Sequence, residues 1–213
     1  MTESVLAAWG RVVASSPRAT VLVDPRAGAV DAQTVEAKSE TLRGQWEALG
    51  MRAGRLVALD LTNGVEWLCA FLACLKLGAV AAPLDPGFSR EEVESLGREL
   101  RAQGIWDGTQ LRRGVCQRPA VFRNRELEVC KLTSGSTGRP KRLYFSGSEM
   151  VADARRLIAG MGIGSQDVNL GLIPWGHSYG LGNIVYPLLL QGTAVAWTET
   201  PFPEEIGEVC RRA

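Results

Sequence analysis

The sequence predicts an α/β fold: a mainly parallel sheet, or sheets, flanked by helices. Three observations carry that expectation. Strand-like and helix-like segments alternate at intervals of about 10 to 20 residues, the spacing of βαβ units. Strand candidates such as RLVALDL (55–61) and AVAAP (79–83) are apolar almost throughout, as strands buried on both faces are. The helical segments keep their apolar residues on one face and close on Gly or Pro.

Taken in order, the first helix covers Glu3 to Ala14, with Val5, Leu6, Trp9, Val12 and Val13 on one face and Pro17 beyond its end. TVLVD (20–24) is a short strand. Residues 31–49 form a helix that turns Val35, Leu42, Trp46 and Leu49 to the core and stops at Gly50. After the strand at 55–61, Asn63 is placed to cap a helix carrying Val65, Leu68, Phe71, Leu72 and Leu75, which ends near Gly78. The strand at 79–83 follows. Ser89 and Glu92 then have capping-box spacing and open a charged surface helix reaching about Ala102. The arginine-rich stretch 107–126 shows little periodicity and is expected to be an exposed connection. LEVCKL (127–132) and KRLYFS (141–146) are strands, followed by a helix with Val151, Ala154, Leu157 and Ile158 inward. VNLGLIP (168–174) is a strand, 179–190 an apolar helix, and TAVAW (193–197) a strand. The last residues, from Pro203, open an amphipathic helix with no room left to complete its packing, so a truncated domain is expected.

Composition narrows the function classes. With 46% hydrophobic and 22% charged residues, the chain has material for a substantial core. Its 24 basic and 23 acidic residues leave a net charge of +1, which gives no reason to expect a nucleic acid or an anionic membrane as partner. The longest apolar runs, Leu68–Leu75 and Val185–Leu190, are too short to span a bilayer. The N-terminus lacks the layout of a secretory signal, so a cytoplasmic location is expected. Cysteines 69, 74, 116, 130 and 210 include no C-x-x-C pair, and His177 is the single histidine; neither a disulfide framework nor a metal site is expected.

Between two strands lies LTSGSTGRPKR (132–142). Gly135 and Gly138 allow backbone amides to converge on an anion. Thr133, Ser134, Ser136 and Thr137 add hydroxyls, and Lys141 adds a mobile charge suited to a phosphate. The residue types fit a triphosphate cradle, but the spacing is not that of the nucleotide P-loop, which needs Gly-Lys adjacent. Composition alone favours a flexible connector.

The string LTSGSTGRPK resembles the phosphate-loop signature of the adenylate-forming (AMP-binding) superfamily, which includes acyl-CoA synthetases and peptide-synthetase adenylation domains. LTNGVEWLCAFLACLKLGAVAAPLDP (61–86) and LIPWGHSYGLGNIVYPLLLQGTAVAW (172–197) are similar to two further segments of that family, in the same order. The resemblance implies that 1–213 is a partial N-terminal AMP-binding domain, without the later adenine, ribose and catalytic-lysine elements. It implies an enzyme that joins a small carboxylic acid to ATP, with Mg2+, as an acyl-adenylate. The acyl group then passes to the thiol of CoA or of a phosphopantetheinyl carrier, which would make an acyl carrier protein a partner. By the same resemblance, Thr133, Ser134, Gly135, Ser136, Thr137, Gly138 and Lys141 hold the triphosphate. His177 is the catalytic residue beside the acyl pocket, and Trp175, Gly176 and His177 contact the acid, expected to be an aliphatic or aryl one. Core packing remains the alternative for Trp175 and Tyr179. Two positions depart from the pattern: Arg142 stands where a glycine is usual, and Gly147 where a histidine commonly follows serine. A non-catalytic nucleotide-binding or interaction module is the rival reading.

Overall fold

The computed structural model describes residues 4–133 and 141–212. Helix α1 (Val5–Ser15) is capped by Ser4, whose hydroxyl accepts the Ala7 N–H, and buries Val5, Ala8, Trp9 and Val12. Strand β1 (Thr20–Asp24) turns back into β2 (Gly28–Asp31), and Asp31 caps α2 (Ala32–Ala48). Then come β3 (Leu56–Leu59), α3 (Val65–Leu77), β4 (Val80–Pro83), α4 (Arg90–Glu99), β5 (Gly104–Trp106) and β6 (Leu111–Arg113). In the second half lie β7 (Leu127–Thr133), β8 (Lys141–Ser146), α5 (Gly147–Met161) and β9 (Val168–Leu170). A short α6 (Ser178–Gly180) runs through a π-helical turn (Leu181–Val185) into α7 (Tyr186–Gln191), followed by β10 (Ala194–Ala196) and α8 (Pro203–Arg212).

The strands form two sheets, in the orders β2-β1-β10-β9 and β6-β5-β3-β4-β7-β8. In the first, β1, β10 and β9 are parallel; in the second, β5, β3, β4 and β7 are parallel. Each antiparallel strand (β2, β6 and β8) sits at an edge. The predicted α/β class with mainly parallel sheets is what the chain adopts. Helix α3 is buried on nearly every side, which a helix this apolar requires. Trp67 stacks on Phe71 at 5.1 Å, and both join the main core with Trp9, Trp46 and Tyr186. The cysteines are unpaired, with Cys69, Cys74 and Cys130 buried. No helix among the described residues is long and apolar enough to cross a membrane.

Leu49, expected to face the core, is exposed, the strand expected over 168–174 ends at Leu170, and three further expectations need correction. Asn63 does not cap α3. Its side chain instead donates to the Gly171 and Ile173 carbonyls at 3.3 and 2.8 Å and accepts the Trp175 N–H at 2.9 Å, tying α3 to the segment after β9. The cap comes from Asp24, whose Oδ2 accepts the Val65 N–H at 3.0 Å. Gly64 at the cap position has φ 132°, and an added Cβ would lie 2.9 Å from that same Oδ2, so only glycine fits there. Second, 107–126 is not all exposed connection: β6 pairs with β5, and Arg112 reaches Asp60 at 3.1 Å, Glu94 at 3.5 Å and Asp107 at 3.6 Å. A three-residue strand made of Leu-Arg-Arg is too short and too charged to show a period. Third, the apolar helix expected at 179–190 is interrupted by the π turn, which apolar content alone does not reveal.

Candidate phosphate-loop and acyl site

Strands β7 and β8 form a hairpin whose ladder closes with Thr133 opposite Lys141. β7 is buried at its centre, Cys130 facing one core layer and Val129 the other, which pins the pairing of that part of the strand. It runs parallel to β4, Ala81 opposite Val129, so the hairpin leaves the sheet at the carboxyl ends of its parallel strands. That is where open α/β sheets hold ligands. Ser134, Gly135, Ser136, Thr137 and Gly138, expected to hold phosphates, lie outside the described residues. Thr133 and Lys141 bracket them, with Lys141 exposed. Arg142 reaches back from β8 to the Glu99 carbonyl at 2.7 Å and so is tied to the end of α4. One turn down the ladder, Lys131 is only 7% exposed, its ammonium 4.7 Å from the Phe145 ring centre, and burial pulls its pKa down.

The second part of the site comes from the other sheet. After β9 the chain passes Ile173 and turns at Pro174, where the His177 N–H donates to the Pro174 carbonyl at 3.2 Å. Trp175 is buried, edge-on to Trp67 at 5.8 Å and to Trp197 at 6.4 Å. Gly176 lies against Pro83 at the end of β4; a Cβ there would be 2.5 Å from the proline Cβ. Any side chain at 176 therefore meets Pro83 first. His177 offers the exposed polar group of this trio, and its Nε2 is 3.0 Å from Oδ2 of Asp85. Tyr179 is exposed. The structure thus brings His177 to the carboxyl end of β4, next to the strand that carries the loop. Asp85 is a site neighbour that sequence reasoning missed; the Pro-Leu-Asp run after a buried strand was the available signal.

The departure at Gly147 has a physical partner. Between Leu127 and Val129 the β7 register slips by one residue against Ser146 and Phe145, and Glu128 is the extra residue. Its carboxylate fills the space that any side chain at 147 would occupy at the start of α5. Among the described residues, Oε2 has no hydrogen-bond partner, nor has the buried hydroxyl of Tyr186, which feels the Glu128 charge. Burial pushes the Glu128 carboxyl up to about 7. A carboxyl held higher in the folded chain than its unfolded value of about 4.3 binds a proton on folding. Its contribution is complete below that unfolded value and is lost as pH rises through about 7. Glu128→Gln should therefore match the wild type in melting temperature at pH 4 and exceed it at pH 8.5. Thermal melts at the two pH values test this, and a constant difference between the proteins would contradict it.

The family model described as AMP-binding enzyme matches residues 10–117. The 2-succinylbenzoate–CoA ligase of Salmonella typhimurium is 26% identical over 185 residues, covering 82% of this chain and 40% of that protein. The medium-chain fatty-acid–CoA ligase of Escherichia coli is 22% identical over 235 residues, covering 88% of this chain and 41% of that protein. Among solved structures, the O-succinylbenzoate coenzyme A synthetase of Bacillus subtilis, in complex with AMP, has a TM-score of 0.81 at 19% identity, over 96% of this chain and 58% of that one. At that identity the likeness speaks for the fold. The chain spans 40% and 41% of the lengths of the two curated relatives.

Proposed function

This chain belongs to the AMP-binding enzyme family, and from that premise we propose that the protein carrying it activates a carboxylic acid with ATP and passes the acyl group to a thiol. The observation that supports the reading is the β7–β8 ladder, which ends with Thr133 opposite Lys141 at the carboxyl end of a mainly parallel sheet.

The chemistry follows from charge. A carboxylate is a poor electrophile until one of its oxygens becomes part of a good leaving group. When that oxygen attacks the α-phosphorus, negative charge accumulates on the phosphate oxygens and the pyrophosphate departs. Loop amides and hydroxyls at 134–138, with Thr133 and the Lys141 ammonium, would offset that charge. The amide N–H groups and the ammonium suit phosphate oxygens, and Mg2+ would come bound to ATP. His177 would meet the acid, and buried Trp175 would support the turn that presents it. A thiol, of CoA or of a phosphopantetheinyl carrier protein, then attacks the acyl carbon and AMP leaves. The unpaired cysteines suit a reducing compartment such as the cytoplasm.

The test is acid-dependent exchange of labelled pyrophosphate into ATP by the intact enzyme, over a panel of aliphatic and aryl acids. Exchange that requires one class of acid is the expected result. Nucleotide binding with no exchange for any acid would favour a non-catalytic binding module instead.

A further inference from the structure

We propose that Asp85 is a positioning residue that orients the His177 imidazole; the inference rests on the acid-activation reading for its effect on rate, but not for its geometry. The two residues are 92 positions apart, and Nε2 of His177 lies 3.0 Å from Oδ2 of Asp85. The carboxylate is itself held: its Oδ1 accepts the Gly87 N–H at 2.8 Å, and the Asp85 carbonyl accepts the Phe88 N–H at 3.1 Å. One oxygen is thus engaged by the backbone and the other meets the ring.

The pair does little for stability. Its side chains are 51% and 41% exposed, and ion pairs this open to solvent add little to stability. The turn that bears His177 is already docked without it, by Gly176 against Pro83 and by Asn63 on the Trp175 N–H. What Asp85 adds is a direction for the ring. By accepting the Nε2 proton it selects one tautomer and leaves Nδ1 as the ring nitrogen available to a substrate group. An exposed imidazole without such a partner would sample several rotamers, and only some of them would face the acid.

Two measurements test this. His177 is the single histidine, so its ring signals in NMR spectra of the chain identify themselves. In the wild type the ring should be ordered; in Asp85→Ala its order parameter should fall below about 0.6, the flexible range, and Asp85→Asn should recover most of the order. In the intact enzyme, Asp85→Ala should lower kcat for acid-dependent exchange by about tenfold, with KM for ATP unchanged and Asp85→Asn intermediate. The double variant Asp85→Ala/His177→Ala should be no slower than His177→Ala alone, because both act through one ring. A ring equally mobile in the wild type and Asp85→Ala, or two effects that multiply, would overturn the assignment. If no acid supports exchange in the wild type, the acid-activation reading fails, and ring order still decides whether Asp85 holds His177.

Discussion

Replacing Lys141 by alanine in the intact enzyme is expected to lower kcat/KM for ATP by about ten- to hundredfold, with little change in KM for the acid. The magnitude is that of one charge-assisted hydrogen bond to a phosphate, on the order of 1.5–3 kcal/mol. Structure makes the variant a clean one. Lys141 is exposed and joins its neighbours through the backbone ladder opposite Thr133, which alanine preserves. The fold should therefore lose no more than about 0.5 kcal/mol, as for surface substitutions generally. Thr137→Ala, in the segment between the strands, should show a smaller loss of the same kind. Lys141→Arg should recover part of the rate, because the charge returns in a different shape. Initial rates over an ATP series at saturating acid decide the matter. Wild-type kcat/KM in Lys141→Ala, at unchanged stability, would remove the lysine from the phosphate site.

How much of this was legible before the structure differs by level. Strands β1, β3, β4, β7, β8 and β10 are all readable, since runs such as LVAL and VAAP have no polar face to leave exposed. The capping box at Ser89 and Glu92 forms as its spacing predicts, with both reciprocal hydrogen bonds. What stayed hidden depends on long-range geometry. Asn63 next to an apolar run has the look of a helix cap, yet its amide is used by residues more than 100 positions away. The hairpin partner β2 is four residues with one buried valine, and the edge strand β6 is three residues, too little for any period. At the site, the loop string and its flanking strands were visible as a motif. The His177–Asp85 contact was not, because it exists only once a turn after β9 docks on the end of β4. Trp175 shows the limit from the other side: an aromatic next to a site motif turned out to be packed between Trp67 and Trp197.

The largest stability effect is expected at Asp24. Its carboxylate is 2% exposed and accepts four hydrogen bonds: from the Arg26 N–H at 2.9 Å, the Ala27 N–H at 3.0 Å, the Val65 N–H at 3.0 Å and the Trp197 indole at 3.1 Å. These donors belong to the turn after β1, the start of α3 and the residue after β10, so one side chain joins the β2-β1-β10-β9 sheet to the central helix. Burial alone would raise its pKa, but the hydrogen bonds from Ala27, Val65, Arg26 and Trp197 outweigh it and hold the carboxyl below the usual range. Asp24→Ala strips the partner from buried N–H groups and removes the cap of α3. The cost should be about 3–5 kcal/mol, a large part of a typical domain's stability. Asp24→Asn keeps the shape but turns an acceptor into a donor facing other donors, and should cost somewhat less. The pH dependence has a definite sign. A carboxyl depressed in the folded state contributes fully above its unfolded value of about 3.9 and loses that contribution as pH falls through the folded value. Urea titrations at pH 7 should show the midpoint of Asp24→Ala well below that of the wild type, with the gap narrowing toward pH 3. A deficit under 1 kcal/mol at pH 7, or one that does not shrink in acid, would mean that water replaces Asp24 at these donors and that the junction of this sheet with α3 is held by apolar packing alone.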